Sequence, residues 1–256
     1  MGCKKSKPHA GSRGYYPRKR AESNIPVFRS FVVPKDLKEV KPLNFYGYKA
    51  GMLHVMGINK HKNSPFDNQK VAIPATVIEF PPLTVFGIRF YAKERALKDF
   101  IFPTKAGKYL SRRITGIDRM KEKGDLMKSA KDFLDANKDK LSEIRLICTT
   151  NPSKTTIGQK VPDVIELHLS GKPEEQFDYF TKQIGAELSA ESVFPENQFV
   201  DAKAVTVGKG FQGVIKRFGV KRRHHKSEKG VRRVGSIGPW NPSTVMNTVA
   251  RPGQMG

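Results

Sequence analysis

The apolar and polar positions change period several times along these 256 residues, and each change marks an element. Between Tyr46 and Ala92, the runs YGYKAGMLHVMGI, KVAIPATVIEF and LTVFGIRFYA are rich in Val, Ile, Phe and Tyr, and are separated by NKHKNSPFDNQ and by Pro81-Pro82. Such side chains suit a pleated surface, so short strands of a small sheet or barrel are predicted. Pro74 has no N–H to give a ladder, which puts the second run at an edge or a bulge. From residue 93 to 197 the character is mixed. Leu126, Ala130, Phe133 and Leu134 fall near helical spacing within Lys123–Asp139, as do Phe177, Phe180, Ile184 and Leu188 within Glu174–Leu188. Two amphipathic helices are predicted there, their apolar stripes facing a core rather than a cofactor. Between them EIRLICTT and VIELHLS read as strands, with His168 a satisfied or exposed strand residue rather than a metal ligand. QFVDAKAVTV, residues 198–207, resumes the β pattern.

Both ends lack any such period. Residues 1–41 mix Gly, Pro, Ser and basic side chains, and residues 208–256 are glycine-spaced and basic. Charge follows the same division. The formal net charge is +23, of which residues 1–41 hold 11 Lys/Arg against 3 Asp/Glu and residues 201–256 hold 12 against 2. Residues 90–200 are close to neutral, with 19 against 17. A nearly neutral middle with basic extremities points to a partner dense in negative charge, nucleic acid or an anionic membrane surface.

Cys3 and Cys148 stand far apart without a CxxC partner, so neither a zinc site nor a disulfide framework is indicated, and a reducing cytoplasm fits. No apolar window approaches the length of a membrane span. The opening matches M-G-x-x-x-[ST] through Met1, Gly2 and Ser6, beside Cys3 and three lysines, which would make a lipid-anchored, basic peripheral membrane protein. So short a pattern arises easily in a basic tail, and an RNA-binding tail is the preferred reading.

Among constellations that carry chemistry, Gly208, Gly210 and Gly213 satisfy G-x-G-x-x-G after a β-like run. A dinucleotide site needs a helix and a second strand ending in an acid, and VIKRFGVKRRHHKSEKG supplies neither. Glycines that let backbone turn tightly against RNA phosphates are preferred. No G-K-[ST] tripeptide occurs, and His224 and His225 lack a ligand or triad framework. The reading is of a non-enzyme with no cofactor, no metal and no small-molecule substrate.

The case for RNA rests on chemistry as well as charge. Eight Lys/Arg stand against one Glu between Arg217 and Arg233. Arg217, Arg222, Arg223, Arg232 and Arg233 offer planar forks that match phosphates and base edges, while Lys209, Lys216, Lys221 and Lys226 add mobile point charges. His224 and His225 supplement them, with Arg251 further along and Arg18, Lys19 and Arg20 in the N-terminal tail. Trp240, the only tryptophan, lies between Pro239 and Pro242 and offers a flat face for a base or ribose; the competing expectation is burial in a core.

At these residues the chain resembles a known family. GKGFQGVIKRFGVKRR and VRRVGSIGPWNPSTVMNTVARPGQMG, with YYPRKR, FYGYKAGMLHV and TVIEFPPLTVFGI before them, are similar to the universal ribosomal protein L-three family of the large subunit, in its archaeal branch. The resemblance implies a mixed α/β fold. A translation-protein-type β-barrel body (42–92 and 198–207) would carry an inserted α/β portion (93–197), and there would be long irregular basic extensions at both ends: an N-terminal one (1–41) and an RNA-penetrating arm (208–256). It implies a structural constituent of the large ribosomal subunit, cytoplasmic and in the ribosome, that binds large-subunit rRNA beside neighbouring ribosomal proteins and assists assembly. The arm would support the peptidyl transferase centre, with Trp240 at its tip. Gln254 matches a glutamine that is methylated in bacterial relatives. The family continues past G-Q-M-G with further barrel strands, whereas this sequence stops at Gly256, so the family's C-terminal part would be lacking.

Overall fold

The computed structural model describes residues 19–28, 31, 33, 37, 39–102, 109–114, 123–245 and 249–255. The chain divides into two compact units, one of residues 29–200 and one of residues 1–28 and 201–256. It is mixed α/β, with antiparallel sheets and few helices.

The larger unit begins with a ribbon. Strands β1 (Tyr48–Ile58) and β2 (Lys70–Glu79) pair from Tyr48↔Glu79 to Ile58↔Lys70, with a bulge between Lys49 and Gly51. Pro74 sits opposite His54 in this two-stranded sheet. Each strand of a pair has one free edge, so a proline is tolerated there, as its position in the sequence suggests. The root of the ribbon is tied down: the Tyr48 hydroxyl donates to Thr150 Oγ1 at 2.8 Å, and the Thr156 hydroxyl donates to Glu79 Oε1 at 2.9 Å. Further out, Met52, Val55, Met56, Ile58 and Ile73 are exposed.

The third β run does not join that ribbon. β3 (Leu83–Ala92) lies between β4 (Arg95–Ile101) and β5 (Glu143–Thr149), with β6 (Val164–His168) outside β5 and the two-residue β7 (Glu187–Leu188) pairing the start of β3. One antiparallel sheet therefore joins residues on both sides of position 92. β4 is not foreseen from the sequence, because Arg95 to Asp99 are exposed and polar enough to hide the alternation. The described strands form open sheets and close no barrel. Residues 198–207 form no strand; Phe199, Val200 and Val207 face outward with no ladder to cover them.

The two faces of the five-stranded sheet differ because side chains alternate along each strand. One face holds Ile88, Phe90, Ile144, Leu146 and Leu167, all fully buried. Helix α1 (Lys123–Ala136) lays Phe133 against Phe90 and Phe100, at ring-centroid distances of 5.3 and 5.9 Å. Helix α2 (Pro173–Gln183) packs Phe180 on Phe102 at 5.4 Å. Burying each such side chain contributes about 1.5–3 kcal/mol. α2 ends earlier than the apolar spacing predicts: Ile184 turns to extended backbone, and Gly185 takes the left-handed φ of 75° before β7. Gln176 is polar and almost fully buried; its amide oxygen accepts from the Ile144 N–H at 2.7 Å, and its NH2 donates to the carbonyls of Leu169 and Gly171.

The opposite face carries a charge ladder set by register. Arg89 stands beside both Asp99 and Arg145, and Arg145 beside His168. Arg89 donates to Asp99 and Glu166, Arg145 to Glu143 and Glu166, and the Tyr91 hydroxyl to Glu166 at 2.9 Å. The Arg145 guanidinium lies over the Tyr91 ring, 3.8 Å from its centroid. Burial alone would raise the Glu143 carboxyl, but the facing His168 imidazole and Arg145 hold it below the usual range. Burial, helped by the charge of Glu166, pushes the Tyr46 phenol up to about 12. His168 is buried, with Nδ1 3.6 Å from Glu143, its backbone N–H on Asn44 Oδ1 at 2.8 Å and Phe31 against its ring. It is thus a satisfied core residue.

Candidate nucleic-acid interface

The smaller unit holds 19 Lys/Arg against 3 Asp/Glu in 84 residues, whereas the larger holds 28 against 21 in 172. The smaller one has few buried apolar side chains among its described residues, chiefly Val214 and Val220. Its geometry comes from hydrogen bonds to backbone groups, several of them between positions far apart in the chain.

Strand β8 (Phe211–Gln212) leads through Gly213 into the five-residue helix α3 (Val214–Phe218), and β8 pairs with β9 (Gly253–Gln254). Amides extend the pairing beyond the Phe211–Gln254 end: the Lys209 N–H donates to the Met255 carbonyl and the Met255 N–H to the Gly210 carbonyl, each at 2.9 Å. Gly210 takes a left-handed φ of 63°, which a side chain would oppose, and Gly219 ends α3 at φ 66°. Gly210, the middle glycine of G-x-G-x-x-G, and Gly219 beyond the motif therefore turn the chain into a clasp between positions 209–218 and 251–255.

The expected RNA-binding residues fall into three groups. Arg20, Lys209, Lys216, Lys221, Arg222, His224, His225, Lys226, Arg232, Arg233, Trp240 and Arg251 are exposed. Trp240 is 93% exposed, against the expectation of a core tryptophan. His224 and His225 stack on each other, with ring centroids 4.2 Å apart. Lys19 is also exposed but forms an ion pair with Glu22 at 3.0 Å. Arg18 lies outside the described residues, as do Met1, Gly2 and Ser6 of the acylation pattern.

Two arginines are turned inward. Arg217 is buried, and its guanidinium donates to the carbonyls of Gln254 at 3.0 Å and Arg251 at 2.8 Å. Arg223 is half-buried and donates to the Val234 carbonyl at 2.6 Å, while its N–H bonds to Val231. In a segment with so little apolar burial, these charge-assisted bonds to carbonyls take over the task of a core. Sequence reading assigns both to RNA because a basic run does not show which of its members folds back.

These struts frame a cavity of about 710 Å3. Val214, Ile237, Val249 and Pro252 supply apolar wall, and Arg232, Arg233 and Arg251 also line it. Nothing in the sequence marks it, since the wall residues are scattered among glycines and charges. Gln254 is half-buried in β9, its carbonyl held by Arg217. Among the described residues no group of three or more His, Cys, Asp or Glu could hold a metal ion, and no helix is long and apolar enough to cross a membrane.

An acid-poor, cationic unit and a more nearly neutral α/β unit in one chain suit a ribonucleoprotein component. The family model described as Ribosomal protein L3 matches residues 1–256, and the chain belongs to that family. Among curated relatives, the large ribosomal subunit protein uL3 of Caldivirga maquilingensis is 42% identical, over all of this chain and 75% of its own length. The uL3 proteins of Methanothermobacter thermautotrophicus (40%, covering 97% of this chain and 74% of the relative) and Methanococcus maripaludis (41%, 100% and 76%) are similar to a comparable degree. All three are archaeal.

Proposed function

We infer from this membership that the chain is a structural constituent of the large ribosomal subunit, not an enzyme, and that it works within the ribosome alongside rRNA and other ribosomal proteins. Its finer role is to bind large-subunit rRNA through residues 208–256, assist assembly and support the peptidyl transferase centre, with Trp240 at the tip of the arm. The N-terminal residues 1–41, Arg18, Lys19 and Arg20 among them, supply a second cationic contact. A translation-protein-type barrel, built on 42–92 and 198–207, around which 93–197 is inserted, is the expected body.

The observation that carries this reading is the surplus of exposed cations in the smaller unit. Among the described residues, Lys216, Lys221, Arg222, Lys226, Arg232 and Arg233 form no ion pair with any carboxylate. Exposed guanidinium and ammonium groups held together without acids repel one another, and phosphate relieves that repulsion. Trp240, with both faces open, suits stacking on a base or ribose.

Binding that neutralises several phosphates releases counterions, so affinity falls steeply with salt. The full chain is titrated with a large-subunit rRNA fragment between about 50 and 200 mM salt, where six to ten phosphate contacts lower affinity roughly 10³–10⁵-fold. A flat profile refutes the electrostatic reading.

A further inference from the structure

The cavity of about 710 Å3 in the smaller unit is not needed for phosphate binding, and its lining is chemically mixed. Val214, Ile237, Val249 and Pro252 give an aliphatic wall, and no acid lines it. Arg232, Arg233 and Arg251 contribute to the same lining, and among the described residues none of their side chains makes a hydrogen bond or ion pair. By contrast Arg217 and Arg223, which do have carbonyl partners, hold the backbone at Arg251, Gln254 and Val234 in place, so parts of the wall are braced before any ligand arrives.

A purely apolar ligand would leave three guanidiniums unmatched, and an inorganic anion would gain nothing from the aliphatic wall. A duplex is too wide for a cavity in the size range of small-ligand pockets, about 300–1,000 Å3. What suits both parts is a flat, weakly polar ring joined to a phosphate. We propose that the cavity takes one unstacked nucleotide of the bound RNA, its base against Val214, Ile237, Val249 and Pro252 and its phosphate on Arg232, Arg233 and Arg251. The proposal rests on the RNA-binding reading and deepens it. Phosphate contacts along the basic run are indifferent to sequence and pairing, whereas a base pocket selects a bulge or loop position whose base is free to leave the stack.

The test uses the full chain and two RNA hairpins of equal charge. One has a single bulged 2-aminopurine, the other the same 2-aminopurine paired with uridine. Stacking quenches this base and an aliphatic pocket does not. The bulged hairpin is expected to bind about tenfold more tightly, the contribution of one sheltered base, with a rise in its fluorescence. Ile237→Trp and, separately, Val245→Trp fill the cavity from positions that are half exposed, so either tolerates the larger ring without disturbing a core. In both variants the bulge preference and the fluorescence rise should vanish while the salt-dependent affinity for the paired hairpin stays. Equal binding of the two hairpins by the unaltered chain, with no fluorescence rise, overturns the nucleotide pocket and leaves RNA binding standing. Absence of salt-dependent binding to either hairpin overturns the RNA reading itself, and the pocket with it.

Discussion

The guanidinium of Arg217 lies against the backbone of Gly253 so closely that a Cβ at position 253 would sit 2.7 Å from Nη1 and 3.0 Å from the guanidinium carbon. Real Cβ atoms do not approach that near. The glycine is therefore what allows Arg217 to reach the carbonyls of Arg251 and Gln254 and close the clasp around β8 and β9.

Gly253→Ala should push the guanidinium out and open the clasp, and Arg217→Met should do so by removing the donors. Losing charge-assisted bonds to these carbonyls costs about 1.5–3 kcal/mol. Hydrogen exchange reports it directly. The amides of Lys209 and Met255, which bond across the clasp, are expected to exchange faster in both variants, while those of β5 are unchanged. Unaltered protection at 209 and 255 would show that Arg217 is not a strut.

The charge ladder on the sheet has a pH consequence. Glu143 is held below the ordinary carboxylate range by His168 and Arg145, against the effect of burial. A depressed folded value adds stability that is fully present above the unfolded value, about 4.3, and is lost as pH falls through the folded one. Glu143→Gln should cost about 2 kcal/mol at pH 7, where it leaves the largely buried Arg145 short of a partner. The difference between variant and parent should shrink below about pH 4. Denaturant melts at pH 7 and pH 3.5 check this; a difference independent of pH would contradict it.

Gln176 joins α2 to β5 and to the turn after β6 through one accepted and several donated bonds. Gln176→Leu keeps the volume but strands the Ile144 N–H and two or more carbonyls in a dry interior. A loss of about 2–4 kcal/mol is expected. Equilibrium unfolding followed by far-ultraviolet circular dichroism measures it, and a neutral result would mean water reaches these groups.

Trp240 is exposed within its unit, so Trp240→Ala should change unfolding free energy by no more than about 0.5 kcal/mol. Its effect should appear instead in ribosomes carrying the variant, as slower accommodation of substrate near the catalytic centre. A large stability loss with normal accommodation would return Trp240 to a packing role.

Much of the larger unit is legible in the sequence. α1, β3, β5 and β6 follow from runs whose apolar side chains are the ones the fold buries, whereas β1 and β2 follow from their β-branched and aromatic content although most of their side chains are exposed. β4 is not legible because its outer residues are charged, and its pairing with β3 depends on a tight turn at Lys93, where φ is +56°. The 198–207 run reads as a strand by composition, yet side-chain type alone supplies no partner strand. In the smaller unit the sequence shows a cationic, glycine-spaced segment, and the structure separates what the pattern does not: Arg217 and Arg223 face carbonyls inside the unit, whereas the side chains of Arg232, Arg233 and Arg251 line a cavity and make no hydrogen bond or ion pair among the described residues. That distinction is set by contacts 11 to 37 positions away in the chain, and local composition carries no trace of them.

Sedimentation of the tagged full chain from a cell extract tests the central claim most directly. The protein is expected to migrate with large ribosomal subunits and to remain there through a moderate-salt wash. A protein that stays in the ribosome-free fraction, or leaves the subunits at the first wash, would contradict its place as a structural constituent.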